Sequence, residues 1–208
     1  MNFKMWRTAG AAALTLALVG SALAQQSAPM RVRGQIEKVD GNTLTVKARD
    51  GAALAINVPD NVRVTSVVKA ALTDIKPNSY IGVTSEPGPG DTLKAIAIHI
   101  FLESMRGTGE GHRPWDLRPG TSMTNAAVET TAGSVEGQVL TVKYKMGDRT
   151  GEQKVIVSPE TPIVTYAPAE PGELKAGAQV IIMGAQRQPD GTLRATGVNV
   201  GRGITPPM

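Results

Sequence analysis

No cysteine occurs anywhere in the 208 residues, and there are only two histidines. The first absence excludes thiol nucleophiles, thiolate metal sites, disulfide exchange and a lipid-modified N-terminal cysteine. It also means that stability must come from burial and backbone pairing, without cross-links. The second absence leaves any Ser-His-carboxylate set dependent on His99 or His112. No Gly-x-Ser-x-Gly turn is present to expose a nucleophile. The chain is therefore expected not to be an enzyme.

Aromatic residues make up 3% of the sequence. Beyond residue 24 only Tyr80, Phe101, Trp115, Tyr144 and Tyr166 remain, so Val, Ile, Leu and Ala must fill the interior. Single-stranded nucleic acid needs stacking platforms along a basic groove, and these are too few to build one. Nucleic acid is thus excluded as an expected partner.

Long apolar runs are missing too. The longest extends from Ala9 to about Val19, short of the 18 or more residues that a spanning helix needs. Lys4 and Arg7 precede it and Ala22-Leu23-Ala24 follows. That order predicts a secretory signal peptide over 1–24, cleaved before Gln25, and a soluble periplasmic or secreted protein with no membrane insertion. Setting aside Lys4 and Arg7 leaves 20 basic residues against 18 acidic ones, so the remaining chain is nearly neutral. Both signs are scattered, as on a solvated surface.

The most informative feature present is a duplication. Residues 39–47 (VDGNTLTVK) match 135–143 (VEGQVLTVK), and 56–65 (INVPDNVRVT) match 156–165 (IVSPETPIVT). Asp74-Ile75-Lys76-Pro77-Asn78 corresponds to Glu173-Leu174-Lys175-Ala176-Gly177, and Thr92-Leu93-Lys94-Ala95 to Thr192-Leu193-Arg194-Ala195. In the first copy Val32/Gly34/Ile36, Leu44/Val46 and Leu54/Ile56/Val58 alternate with polar residues. Asp40-Gly41 and Asp50-Gly51 turn the chain between them. Val68–Ile75 has helix-like spacing and is stopped by Pro77; Tyr80–Val83 and Thr92–Ile100 close the unit.

Three strands, a short helix and two strands is the element order of an OB-like barrel. The expected fold is all-β: two tandem OB-like small β-barrels, each with one short helix, joined by an irregular connector. A pair of open β-sandwich halves is the alternative. The corresponding segments are 25–100 for the first barrel, 101–130 for the connector, and 131–208 for the second barrel with an extended C-terminal tail.

The run Val32–Gly41, the segment Ile75-Lys76-Pro77 and the strand Leu93-Lys94-Ala95 resemble the exported bacterial barrel domains grouped as a domain of unknown function. With His99-Ile100-Phe101, the stretch Met105–Asp116 and Met123-Thr124-Asn125, the chain is similar to uncharacterised exported proteins of alphaproteobacteria. Some of those are labelled metal transporter permeases. The resemblance implies export and small barrels but no particular activity, and the permease label does not suit a sequence without spanning helices.

The connector interrupts the duplication. Gly107, Gly109, Gly111 and Gly120, with Pro114 and Pro119, argue against regular structure over most of it. It nevertheless carries Trp115 and His112, along with Arg106, Arg113 and Arg118 near Glu103, Glu110 and Asp116. One expectation is that Phe101 and Trp115 plug the space between barrels while ion pairs within the connector fix it. Read as a binding surface, Arg106, His112, Arg113, Trp115 and Asp116 are the candidate ligand contacts, with Arg118 as a further anion-binding cation. Read as a metal centre, His99, Glu103, Met105 and His112, with Asp116 beside them, form a mixed N/O/S set suited to a transition metal. The spacing of His99 and His112 matches no recognised metal motif. Because Ile96, Ile98 and Ile100 share one strand face, His99 is expected on the other, where the second copy has Asn199. The expected function is non-catalytic binding of a small ligand or an envelope protein without a cofactor, with periplasmic metal binding or delivery as the alternative.

Overall fold

The computed structural model describes residues 29–134, 137–170 and 172–207. The expected signal peptide lies outside them. Fourteen strands follow in order: β1 (Met30–Asp40), β2 (Thr43–Ala48), β3 (Ala53–Asn57), β4 (Arg63–Lys69), β5 (Tyr80–Pro87), β6 (Thr92–Ile100) and β7 (Gly111–Pro114). Then come β8 (Ser122–Ser134), β9 (Gly137–Met146), β10 (Arg149–Val157), β11 (Ile163–Pro168), β12 (Gln179–Arg187), β13 (Leu193–Arg194) and β14 (Gly197–Gly201). The fold is all-β, and among the described residues there is no α-helix. No helix there is long and apolar enough to cross a membrane. The helix expected over Val68–Ile75 is instead the end of β4 followed by one 3-10 turn, Leu72–Asp74. Val68 is half-buried on β4 and Ile75 is buried just past the turn, not on one helical face.

Strand pairing departs from a simple tandem. β8, β9, β10, β6 and β5 close into a five-stranded barrel. A second circuit runs through β1, β2, β3, β13 and β12 and returns from β12 to β1, with β14 also paired to β12. One circuit takes β8, β9 and β10 from the second half of the chain with β5 and β6 from the first; the other takes β1, β2 and β3 from the first half with β12 and β13 from the second. The two halves of the chain thus exchange strands between the circuits, an interleaving like that of a domain swap within one chain. The cores follow the same division. Val32, Ile36, Leu44, Val46 and Ile56 of the first copy pack with Val180, Ile182, Leu193, Val198 and Val200 of the second. Ile81, Val83 and Ile98 pack with Val128, Leu140, Val142 and Val155. Fully burying each such aliphatic side chain contributes about 1.5–3 kcal/mol.

Closure depends on β1 and β8, which serve two partners each. Residues Val32–Gln35 of β1 pair with β12 and Gly34–Asp40 with β2; a register shift between Ile36 and Lys38 re-aims the strand. β8 divides the same way between β5 and β9, with its shift between Val128 and Thr130. Bulges of this kind bend a strand around a barrel corner. Gly34, which pairs with both β2 and β12, must lack a side chain, because a Cβ there would collide with the Lys47 carbonyl oxygen.

A four-strand bridge links the circuits in the order β14, β4, β11, β6, paired parallel, antiparallel, parallel. It reads the same from either edge. Asn199 lies opposite Thr65 and His99 opposite Val164. Since Asn199 is the counterpart of His99, Thr65 corresponds to Val164 rather than to Thr165, as the alignment had it. That one-residue slip changes faces: Thr65 borders the cleft described below, whereas Thr165 donates from its hydroxyl to the Ile100 carbonyl at 2.9 Å.

The connector is more regular than its glycines and prolines suggested. β7 pairs antiparallel with the N-terminal half of β8, along the edge that β9 leaves vacant further on, and residues 122–130 are part of β8 itself.

Candidate functional site

A cavity of about 400 Å³ lies between the two barrels, above one face of the four-strand bridge. Its floor follows from strand alternation. Ile98 points into the barrel core, which turns His99 outward. Val198 and Val200 do the same on β14, which turns Asn199 outward. Tyr166 rises from β11 and stacks on His99 with ring centroids 5.3 Å apart, and Phe101 lies 5.7 Å from Tyr166. Met105, Met123 and Met183 supply flexible apolar walls.

His99 is 4% exposed. Burial alone lowers its pKa to about 3, so the ring is neutral across the physiological range. Burial likewise raises the Tyr166 phenol to about 12, leaving it a neutral donor.

The connector forms one wall and is tied to both barrels. Asp116 accepts hydrogen bonds from Arg31 at 2.8 Å and Arg33 at 2.7 Å, both on β1. Burial tends to raise the Asp116 pKa, but the Arg33 hydrogen bond and the Arg31 and Arg33 charges together carry it below the usual carboxylate range. The Arg31 guanidinium lies 4.0 Å from the centre of the Trp115 ring, a close cation–π contact. On the other side, Arg118 pairs with Glu86 of β5, and the Lys145 backbone N–H donates to Glu110. Only Arg106–Glu103 is an ion pair within the connector, so the expected internal pairing is mostly replaced by pairs to the barrels. Asp116→Asn is expected to leave Arg31 and Arg33 side by side without a counter-charge and to lower stability by about 1–2 kcal/mol. Chemical denaturation checks this; unchanged stability would show that the connector is not held by these pairs.

The sequence-derived candidates divide. Arg113 and Trp115 line the cavity, as do His99 and Met105. Asp116 is not among the residues lining it and pairs with Arg31 and Arg33 beside it. Arg106 bonds Glu103 and the Asn78 carbonyl, which takes both Arg106 and Glu103 away from the cleft. His112 lies on the face of β7 opposite Arg113. There its Nδ1 is 2.8 Å from the Thr124 hydroxyl and its ring stacks over Tyr144. Burial, with a smaller contribution from the Arg113 charge, lowers its pKa. His99 and His112 therefore do not converge, and among the described residues no three His, Cys, Asp or Glu side chains come together as a metal-binding group. The cleft residues not singled out from sequence include Arg31, Arg63, Asn125, Tyr166 and Met183. They come from β1, β4, β8, β11 and β12, and each is an ordinary outward residue of its own strand. The one available signal was the alternation that placed His99 and Asn199 on corresponding outer faces.

No protein-family model matches the chain, and no solved structure matches it. It is similar to a 27 kDa lipoprotein antigen of Mycobacterium intracellulare, 28% identical over 143 residues, which cover 57% of this chain and 53% of that protein. The chain thus spans about half the length of the curated relative it matches.

Proposed function

We propose that this chain is an exported, non-catalytic binding protein whose small ligand occupies the cleft between the barrels. The observation that carries the reading is the cavity of about 400 Å³, walled by aromatic and methionine side chains with a few polar atoms. That size and composition are those of small-molecule sites. The similarity to a lipoprotein antigen, together with the sequence of residues 1–24, supports export. The order of three strands, a crossing segment and two strands supports reading each circuit as an OB-like barrel, a scaffold that commonly presents ligand sites on its outer face and loops.

A designed plug tests the reading. Gly197 lines the cleft, and a Cβ built on it would meet only ordinary contacts, 3.8 Å from the Met183 Cβ and 4.0 Å from the Arg63 carbonyl oxygen. Gly197→Leu is therefore expected to fill the cavity without straining the backbone. The neutral dye phenylnaphthylamine is expected to gain fluorescence with the wild-type chain. Its affinity is expected to fall by about tenfold or more in Gly197→Leu, at an unchanged melting temperature. Equal binding to both proteins would remove the cleft as the site.

A further inference from the structure

The charges lining the cleft are one-sided. Arg31, Arg63 and Arg113 border it, and among the described residues no Asp or Glu does. Arg31 is compensated by Asp116. Arg63 and Arg113 have no carboxylate within 4.0 Å among the described residues; Arg113 donates through one Nη to the Gly109 carbonyl at 2.7 Å and to no acid. Beside them the Trp115 indole N–H is buried without an acceptor, although Trp115 too lines the cavity. A buried donor left unpaired is expensive and calls for a partner. The neutral His99 and the high-pKa Tyr166 add no negative charge to the floor. Against these donors the described cleft-lining residues offer one buried acceptor without a partner, the Asn125 Oδ1, whose amide nitrogen is engaged with the Thr108 carbonyl at 2.9 Å.

We infer that the cleft takes a small organic anion: a flat apolar body seated among Phe101, Tyr166 and the methionines, with a carboxylate- or sulfonate-type group held by Arg63 and Arg113. This rests on the cleft being the binding site. The aromatic floor recognises the body by stacking and burial. Guanidinium groups recognise the head by charge-assisted hydrogen bonds, which are the stronger class. Arg63 is exposed and Arg113 half-buried, so their pairing with the head group is open to screening by salt.

Two dyes with the same aromatic skeleton separate the contributions, because anilinonaphthalene sulfonate differs from phenylnaphthylamine by its anionic group. With the full chain, the sulfonate is expected to bind about tenfold or more tighter than the neutral dye, and the ratio is expected to shrink as salt is raised. In Arg63→Gln/Arg113→Gln the ratio is expected to fall to within about threefold, whereas Arg63→Lys/Arg113→Lys should retain most of it. Binding of both dyes with equal affinity, or a preference that survives the double glutamine variant, would overturn the anion inference while leaving the cleft as the site. Binding of both dyes undiminished by Gly197→Leu would remove the cleft itself, and the inference with it.

Discussion

Residues 29–119 and 120–208, produced as separate polypeptides, are expected to be unfolded alone and to regain the native structure when mixed. A break between Pro119 and Gly120 falls in the short loop before β8 and severs no strand. It leaves the first piece with β1, β2 and β3 of one circuit and β5 and β6 of the other, so neither barrel can close. Each piece exposes the apolar faces that the exchange would bury, Ile36 and Val46 on one and Leu140 and Val142 on the other. Units this small have little stability to spare, and an open half-barrel also leaves unpaired edges. Far-UV circular dichroism and size-exclusion chromatography of each piece and of the mixture decide the matter. A cooperative melt from either piece alone would mean that a single copy can close its own barrel, contradicting the exchanged pairing.

Acid is expected to unfold the wild-type protein more readily than His99→Asn. The folded chain holds His99 neutral with a pKa of about 3, while the unfolded chain returns it to roughly 6.5. Between those values the unfolded state binds a proton that the folded state refuses. The stabilisation is therefore intact above about pH 6.5 and declines as pH falls toward 3, by roughly 1.4 kcal/mol per unit. At pH 4.5 the wild type should have lost about 2–3 kcal/mol from this group, a loss that the asparagine variant does not share. His112, also lowered by burial, contributes in the same direction and is common to both proteins, so the comparison isolates His99. Asparagine is the appropriate replacement because Asn199 already occupies the corresponding place on β14. Guanidinium titrations at pH 7 and pH 4.5 provide the measurement; parallel losses in both proteins would show that His99 is not the group responsible.

Much of the local structure could be read from the sequence. The alternation of Val32 with Ile36 and of Leu44 with Val46 gave the inward faces of β1 and β2, and Asp50-Gly51 marked a real turn. His99 was correctly turned away from Ile98. Its burial was not foreseen, since alternation says which way a side chain points and nothing about what lies over it. The exchange of strands was illegible for a related reason. Duplicated strands carry interchangeable patterns, and β5 and β6 would satisfy the period-2 rule of either barrel. Val68–Ile75 was misread because the tail of a strand followed by a 3-10 turn places apolar residues at intervals that imitate a helix. Of the residues lining the cleft, the sequence singled out His99, Met105, Arg113 and Trp115. Arg31, Arg63, Tyr166 and Met183 meet there because the exchange brings β1, β4, β11 and β12 to one place.

The bridge between the barrels is palindromic in its strands but not in its side chains. At its centre Tyr166 is paired with Val67, and toward the edges His99 stands where the opposite side has Asn199. Two identical subunits meeting at such a centre would present equivalent halves, and a guest could lie either way round. Joining the halves in one chain lets them diverge: His99, Tyr166 and Phe101 gather at one end, Asn199 stands at the other, and the connector walls only one side. The cleft thereby has a head and a tail of its own.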